Sequence, residues 1–203
     1  MISDARSPEL SARLQFSSVA DFPTHHGTFK IRAIRDQAGL EHVLVYKGDP
    51  TGKHDVPVRI HSECRTSEVF HSLRCDCSEQ LDAALDYFES EGIGVMVYLR
   101  QEGRGIGLFN KIEAYALQDR GLDTVAANNE LGFAADQRTY EVAVEVLRVL
   151  GVKSVRLLTN NPRKVEAVSR HQIGVERIPH RFKPNSHNAA YLLTKQLKME
   201  HFL

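Results

Sequence analysis

Excess charge of either sign is missing from this sequence. Its 203 residues carry 26 Lys and Arg against 26 Asp and Glu, a formal net charge of zero. Nothing in that balance resembles the basic footprint by which proteins hold DNA or RNA, so no nucleic-acid partner is expected. Long apolar runs are absent as well. None approaches the roughly eighteen residues of a membrane span, and the opening stretch lacks the apolar core of a secretory signal. No membrane partner is expected, and the cytoplasm is the expected compartment. Internal repeats, low-complexity tracts and linkers are also lacking. Cysteine is scarce: three residues, too few and too odd in number for a disulfide framework.

Those three cysteines are nevertheless concentrated. All lie between Cys64 and Cys77 in the spacing C-x10-C-x-C, with His61, Glu63, His71 and Asp76 in or beside the stretch. Scattered buried cysteines acting as small apolar residues would not cluster this way. Three thiolates fall one short of the four ligands that close a structural zinc site. A zinc held by three protein ligands keeps a position for water, which it can acidify near neutral pH, so hydrolysis is the first chemistry to consider. A closed structural site with His61 or His71 as fourth ligand stays open at this point. The C-x-C spacing differs from the C-x2-C of common zinc knuckles and does not decide between them.

The N-terminal half reads as strands. Gly27 to Ile34 alternates with period two, and His42–Tyr46 and Val56–His61 follow between turn signals. Leu81, Ala84, Leu85 and Phe88 then recur at helical spacing, with Ser78 as the expected N-cap. Cys75 and Cys77 would thus sit at the positive end of a helix, which favours thiolate. Beyond this, strands are expected at Gly94–Leu99, Val155–Thr159 and Ile173–Ile178. Helices are expected at Leu108–Gln118, Glu141–Leu150, Pro162–Arg170 and Asn188–Lys198. The expected fold class is α+β, with a β-rich N-terminal part and an α/β C-terminal part in one unit. Residues 1–21 are expected as a flexible tail and 22–203 as a single domain.

Several stretches look chemical. Arg59, Arg65, Arg74, Arg100, Arg104 and Arg138 lie in or next to them, and arginine suits bidentate gripping of phosphate or carboxylate. The run Tyr98-Leu-Arg-Gln-Glu-Gly103-Arg-Gly105-Ile-Gly107 goes from strand through a glycine-rich loop to a helix. It fits an anion cradle or merely a tight turn with positive φ. Thr159-Asn-Asn-Pro162-Arg-Lys164 offers Asn161 as N-cap and Pro162 as first helical residue. Lys164 in a first turn conflicts with the helix dipole unless an anion is near. Asp136 or Thr139 reads as a cap for the helix from Glu141, and Tyr115 as a core tyrosine at helical spacing.

The order of these segments says more than each pattern alone. Arg-Ile-His-Ser-Glu-Cys, Arg-Cys-Asp-Cys, Arg-Gln-Glu-Gly-Arg-Gly-Ile-Gly-Leu, Asn-Lys-Ile-Glu-Ala-Tyr-Ala-Leu-Gln-Asp, Leu-Gly-Phe-Ala-Ala-Asp and Leu-Leu-Thr-Asn-Asn-Pro follow one another between Arg59 and Lys164. Together they closely resemble GTP cyclohydrolase II, a family of riboflavin biosynthesis. The resemblance implies a zinc-dependent hydrolase of GTP in which Cys64, Cys75 and Cys77 hold Zn2+. Its implied reaction opens the guanine imidazole ring at C8 and releases formate and pyrophosphate, leaving 2,5-diamino-6-(5-phospho-ribosylamino)pyrimidin-4(3H)-one. It implies Arg138 as nucleophile toward the α-phosphate, Asp136 as its base, and Tyr115 in ring opening and deformylation. Arg59, Ile60, His61, Ser62, Glu63, Gln80, Glu102, Gly103, Arg104, Thr124, Thr159 and Lys164 would bind the nucleotide. Mg2+ with the triphosphate and a homodimer are also implied.

Certain positions depart from the family pattern. Cys-x-Thr-Gly-Asp becomes Cys64-Arg-Thr-Ser67-Glu68, and Cys-Asp-Cys-Gly becomes Cys75-Asp-Cys77-Ser78. His71, Ala126, Gln137 and Thr139 are unusual at their places. A divergent paralogue with a formamido product or another pathway role is one alternative. A non-catalytic GTP-binding protein with structural zinc is a second. A nucleobase deaminase is a third, since His61-Ser-Glu63 fits H-x-E, although the P-C-x-x-C half is missing.

Overall fold

A computed structural model describes residues 13–198 and 202. Its strands are β1 (Gln15–Phe16), β2 (Ala20–Thr24), β3 (Gly27–Arg35), β4 (Glu41–Lys47), β5 (Val56–Ser62), β6 (Gly94–Leu99), β7 (Ser154–Leu158) and β8 (Gly174–Ile178). The helices are α1 (Arg65–Glu68), α2 (Cys77–Glu91), α3 (Gly107–Asp119), α4 (Thr124–Glu130), α5 (Glu141–Val149), α6 (Pro162–Ser169) and α7 (Ala189–Lys198). A short 3-10 turn, Glu102–Gly105, precedes α3.

All eight strands form one sheet in the order β1-β3-β4-β6-β5-β7-β8, with β2 also on β3. Pairing is antiparallel from β1 to β6 and parallel from β6 to β8. The expected β-rich and α/β parts are therefore two ends of a single mixed sheet.

Alternation along β5 explains how both faces are buried. Val58 and Ile60 enter a core with Leu44, Val97, Leu157 and the α5 residues Ala143, Val144 and Leu147. On the other face, Ala84, Leu85 and Phe88 of α2 pack against Phe29, Val45 and Met96. Strands covered on both sides read as near-continuous apolar runs, as Gly94–Leu99 does. Gly94 permits this packing, because a Cβ there would lie 2.2 Å from the Phe88 ring.

Two expectations need correction. The sheet starts inside the stretch expected as a loose tail: Gln15 and Phe16 pair with Arg35 and Ile34, and Ala20 with Ile31. Leu14, only 4% exposed, joins the core, so burial and strand pairing order this segment; residues 1–12 lie outside the described residues. Helix α2 begins at Cys77 with Asp76 at the N-cap position, so Ser78 lies inside the helix rather than capping it.

Connections leave β5 toward β6 on one side, while β7 lies on its other side and leads on to β8. Such a divergence opens a crevice beyond the carboxyl ends of parallel strands. Ser62, Leu99 and Leu158 end their strands at that edge.

Candidate active site

The three cysteines converge at this edge. Their Sγ atoms all lie within 4.8 Å of one another, and Cys64 Sγ is 3.6 Å from Cys75 Sγ. That is far beyond a disulfide bond. It matches the roughly 3.8 Å between two thiolates bound tetrahedrally at 2.3 Å to one zinc. Cys77 is the first residue of α2, where the helix dipole favours negative charge. Cys64 is held well below an ordinary thiol, because Cys75 and Cys77 donate to it and Lys111 stands beside it. Lys111 Nζ is 3.2 Å from Cys64 Sγ and 2.7 Å from Glu102 Oε1. Its burial is outweighed by Cys64 and Glu102, which keep the ammonium charged.

Neither histidine completes the cluster. His61 Nε2 is 2.8 Å from Glu68 Oε1, and its Nδ1 accepts from Arg59 Nε at 3.4 Å. Burial lowers its pKa to about 4, so the ring is neutral. His71 is exposed in a left-handed turn. Among the described residues the group comprises the three cysteines alone, a soft donor set suited to zinc with a position left over.

Supporting contacts reveal what some departures do. Glu68 also accepts from Cys64 N at 3.1 Å and from Tyr98 Oη at 2.5 Å, so one carboxylate fixes His61 and the first thiol's backbone. Ser67 Oγ accepts from Ser78 N at 3.0 Å and lies 3.2 Å from Ser78 Oγ. Ser67 and Ser78, two of the expected departures, therefore touch, joining α1 to the start of α2. Gln137 and Thr139 are exposed, unlike the half-buried Asp136 and Arg138 between and beside them.

From the sulfurs a cleft runs along the strand ends. One end is lined by Glu63, Cys64, Glu102, Lys111, Tyr115 and Arg104, with Thr124 and Gly103 alongside. The other is lined by Arg59, His61, Gln80, Thr159 and Lys164. Ser62, Cys77, Arg138 and Tyr191 border both. Two groups in the first end, although buried, have no hydrogen-bond partner among the described residues: Glu63 Oε2 and both terminal nitrogens of Arg104. Arg104 itself adopts a left-handed φ of 60°, between Gly103 and Gly105, so the turn with positive φ and the cleft wall are the same structure.

Burial pushes the Tyr115 phenol up to about 12, so it stays protonated. At the second end, burial lowers Arg59 to about 10; its Nη1 donates to Leu158 O at 2.9 Å and its Nη2 to Gln80. Lys164 donates to Ile60 O at 2.8 Å, and Thr159 Oγ1 accepts from Asn161 N at 3.0 Å. Ile60 is the exception among the expected binding residues: its side chain is fully buried in the core, its carbonyl accepts from Lys164, and it lines neither end of the cleft. Asn161 caps α6 as expected, accepting from Arg163 N at 2.9 Å.

Asp136 does not cap α5. It grips Arg138, accepting from Nε at 2.9 Å and Nη2 at 2.7 Å, and Arg163 approaches it at 3.0 Å. Burial opposes its charge, yet Arg138 brings its pKa down to about 2. In return Asp136 outweighs burial to hold the Arg138 guanidinium firmly protonated.

The model of the family "GTP cyclohydrolase II" matches residues 15–179. The chain belongs to the GTP cyclohydrolase II family. Similar proteins include GTP cyclohydrolase-2 of Pseudomonas putida (strain W619), 52% identical over 93% of this chain and 93% of that one. GTP cyclohydrolase-2 of Picrophilus torridus is 46% identical over 93% of this chain and 98% of its own. Riboflavin biosynthesis protein RibBA of Synechocystis sp. is 50% identical over 94% of this chain, which spans only 35% of RibBA's length.

Sequence reasoning missed Lys111, Asn128 and Tyr191 as cleft residues. Lys111 stands four residues before Tyr115, on the same helical face, and that spacing could have found it. Asn128 lies on α4, which carries no marked apolar stripe, and Tyr191 comes from a distant helix.

Proposed function

We propose that this chain carries out the GTP cyclohydrolase II reaction in the cleft beyond β5, β6 and β7. It hydrolyses GTP to formate, pyrophosphate and 2,5-diamino-6-(5-phospho-ribosylamino)pyrimidin-4(3H)-one. The observation that carries this reading is one cleft that Cys64 and Cys77 of the three-thiol cluster line, together with an unpartnered Glu63 carboxylate oxygen and unpartnered Arg104 nitrogens. Cys64, Cys75 and Cys77 would hold Zn2+, which supplies Lewis-acid activation of water near neutral pH.

The remaining chemistry belongs to the protein's own groups. Glu63 Oε2, needing donors, suits the N1–H and 2-amino edge of guanine. The cationic end, with Arg59, Arg138 and Lys164, suits the triphosphate, and Mg2+ would accompany those phosphates. Tyr115, protonated across the neutral range, donates a hydrogen bond or proton at Oη toward the ring being opened.

For Arg138 and Asp136 the ion pair supports different roles from nucleophile and base. Drawing a proton from a guanidinium so firmly charged is costly, and a carboxyl near 2 is a weak proton acceptor. Asp136 instead orients Arg138, whose charge binds the α-phosphate and offsets charge on the departing pyrophosphate. A cytoplasmic homodimer completes the proposal; no helix among the described residues is long and apolar enough to cross a membrane.

Incubating the purified protein with GTP, Mg2+ and Zn2+ tests the reading. Formate, pyrophosphate and the pyrimidine should appear in equal amounts. Ammonia in place of formate would point to a deaminase, and binding without any product to a GTP-binding protein.

A further inference from the structure

The C-terminal helix α7 lies beyond the stretch matched by the family model, yet it reaches the cleft. Its approach is fixed at several points. Asn185 and Asn188 exchange hydrogen bonds, Asn185 N to Asn188 Oδ1 at 2.8 Å and Asn188 N to Asn185 Oδ1 at 2.9 Å. Asn185 Nδ2 donates to Leu73 O at 3.3 Å, shortly before Cys75. Leu192 is 7% exposed. Further on, Phe202 N donates to Asn160 O at 2.9 Å, beside the cationic end, and Arg181 Nε donates to Phe202 O at 3.0 Å.

This strap carries Tyr191 to the boundary between the two ends of the cleft, a boundary it shares with Ser62, Cys77 and Arg138. The Tyr191 ring stands 5.4 Å from Arg104 Cζ, a cation–π distance. The aromatic face thus supports the guanidinium whose terminal nitrogens have no hydrogen-bond partner. With the purine at the sulfurs and the phosphates among the cations, the sugar and α-phosphate must cross this boundary.

We propose that Tyr191 is a substrate-binding residue: its ring walls the ribose and α-phosphate of a nucleoside triphosphate and holds Arg104 ready to donate to it. The inference rests on the functional reading above for where each part of the nucleotide lies. It makes α7 part of the active site and not only a terminal helix.

Steady-state kinetics with GTP test it on Tyr191→Ala and Tyr191→Phe. Leu193→Ala is the control, since Leu193 is 52% exposed on the same helix. Losing both ring and support should raise KM roughly tenfold in Tyr191→Ala with kcat changed far less. Tyr191→Phe should stay near the wild type in KM, and Leu193→Ala should match it in both constants. An unchanged KM in Tyr191→Ala, or an equal rise in Leu193→Ala, overturns the proposal. The chain contains no tryptophan, so Tyr191→Trp installs a single, selectively excitable tryptophan at the boundary. Its emission should change saturably with GTP, and a flat response overturns the proposal even where the alanine variant does not fold. If the wild type binds GTP without turnover, the catalytic reading fails while this fluorescence result still decides the role of Tyr191.

Discussion

Replacing Asp136 by asparagine should cost stability in a pH-dependent way. The side chains of Asp136 and Arg138 are only 7% and 12% exposed, so solvent screens their attraction little. The Asp136 carboxyl falls from 3.8 to about 2 on folding. A depression of about 2 units corresponds to about 2.5 kcal/mol favouring the folded state. Because the folded pKa is the lower one, that stabilisation is complete above the unfolded value. It fades as pH drops from about 5 toward 2 and the carboxylate takes up its proton. Asp136→Asn keeps the shape but leaves a buried guanidinium without its counter-charge. Urea unfolding at neutral pH should therefore find the variant less stable by about 2–3 kcal/mol. The difference from wild type should close as the pH is lowered. A difference under about 0.5 kcal/mol, or one independent of pH, refutes the pairing argument. The same variant separates the two catalytic roles. Loss of an orienting partner should slow pyrophosphate release about tenfold, whereas loss of a general base costs about a hundredfold or more. A hundredfold loss with stability intact would return Asp136 to the role of proton acceptor.

Tyr115→Phe removes the one proton the buried phenol can give, so formate release should fall at least tenfold further than pyrophosphate release; equal losses of both products reject that role. Gly94→Ala would drive a methyl group into the Phe88 ring, and thermal denaturation should register a loss of about 1–3 kcal/mol from overpacking. An unchanged melting temperature would mean that the ring has room to move. Glu68→Gln weakens the carboxylate that fixes His61 and the Cys64 backbone, so zinc affinity measured by chelator competition should drop about tenfold to a hundredfold. Unaltered affinity would show that the cysteines are held in place without it.

The legible parts of the chain were those governed by neighbouring residues. Apolar runs at Gly94–Leu99 and Val56–His61 reported strands buried on both faces, and Asn161-Pro162 marked the start of α6 because capping and a fixed φ act locally. The cysteine trio was visible because its members are close in sequence. What stayed hidden depended on distant partners. Asp136 has the chemistry of a cap, yet α5 begins only at Glu141 with Tyr140 at its N-cap position, and the Asp136 carboxylate pairs with Arg138 instead. Gln15 and Phe16 carry little strand signal of their own, and only the free edge of β3 makes them a strand.

The paired serines take the same reasoning a step further. Each looks, from sequence, like an isolated loss of glycine beside a metal ligand. In three dimensions Ser67 and Ser78 form one contact between the segments that bear Cys64 and Cys77. Neither requires the left-handed φ for which glycine is favoured, since both lie in or next to ordinary helical turns. The hydrogen-bonded pair is therefore accommodated here without backbone strain. Ser67→Gly removes both bonds of this contact and Ser78→Gly only the one between the two hydroxyls, so the double variant should lose little more zinc affinity than Ser67→Gly alone. Losses that simply add would mean that each serine acts alone and that their contact contributes nothing to holding the thiols in register.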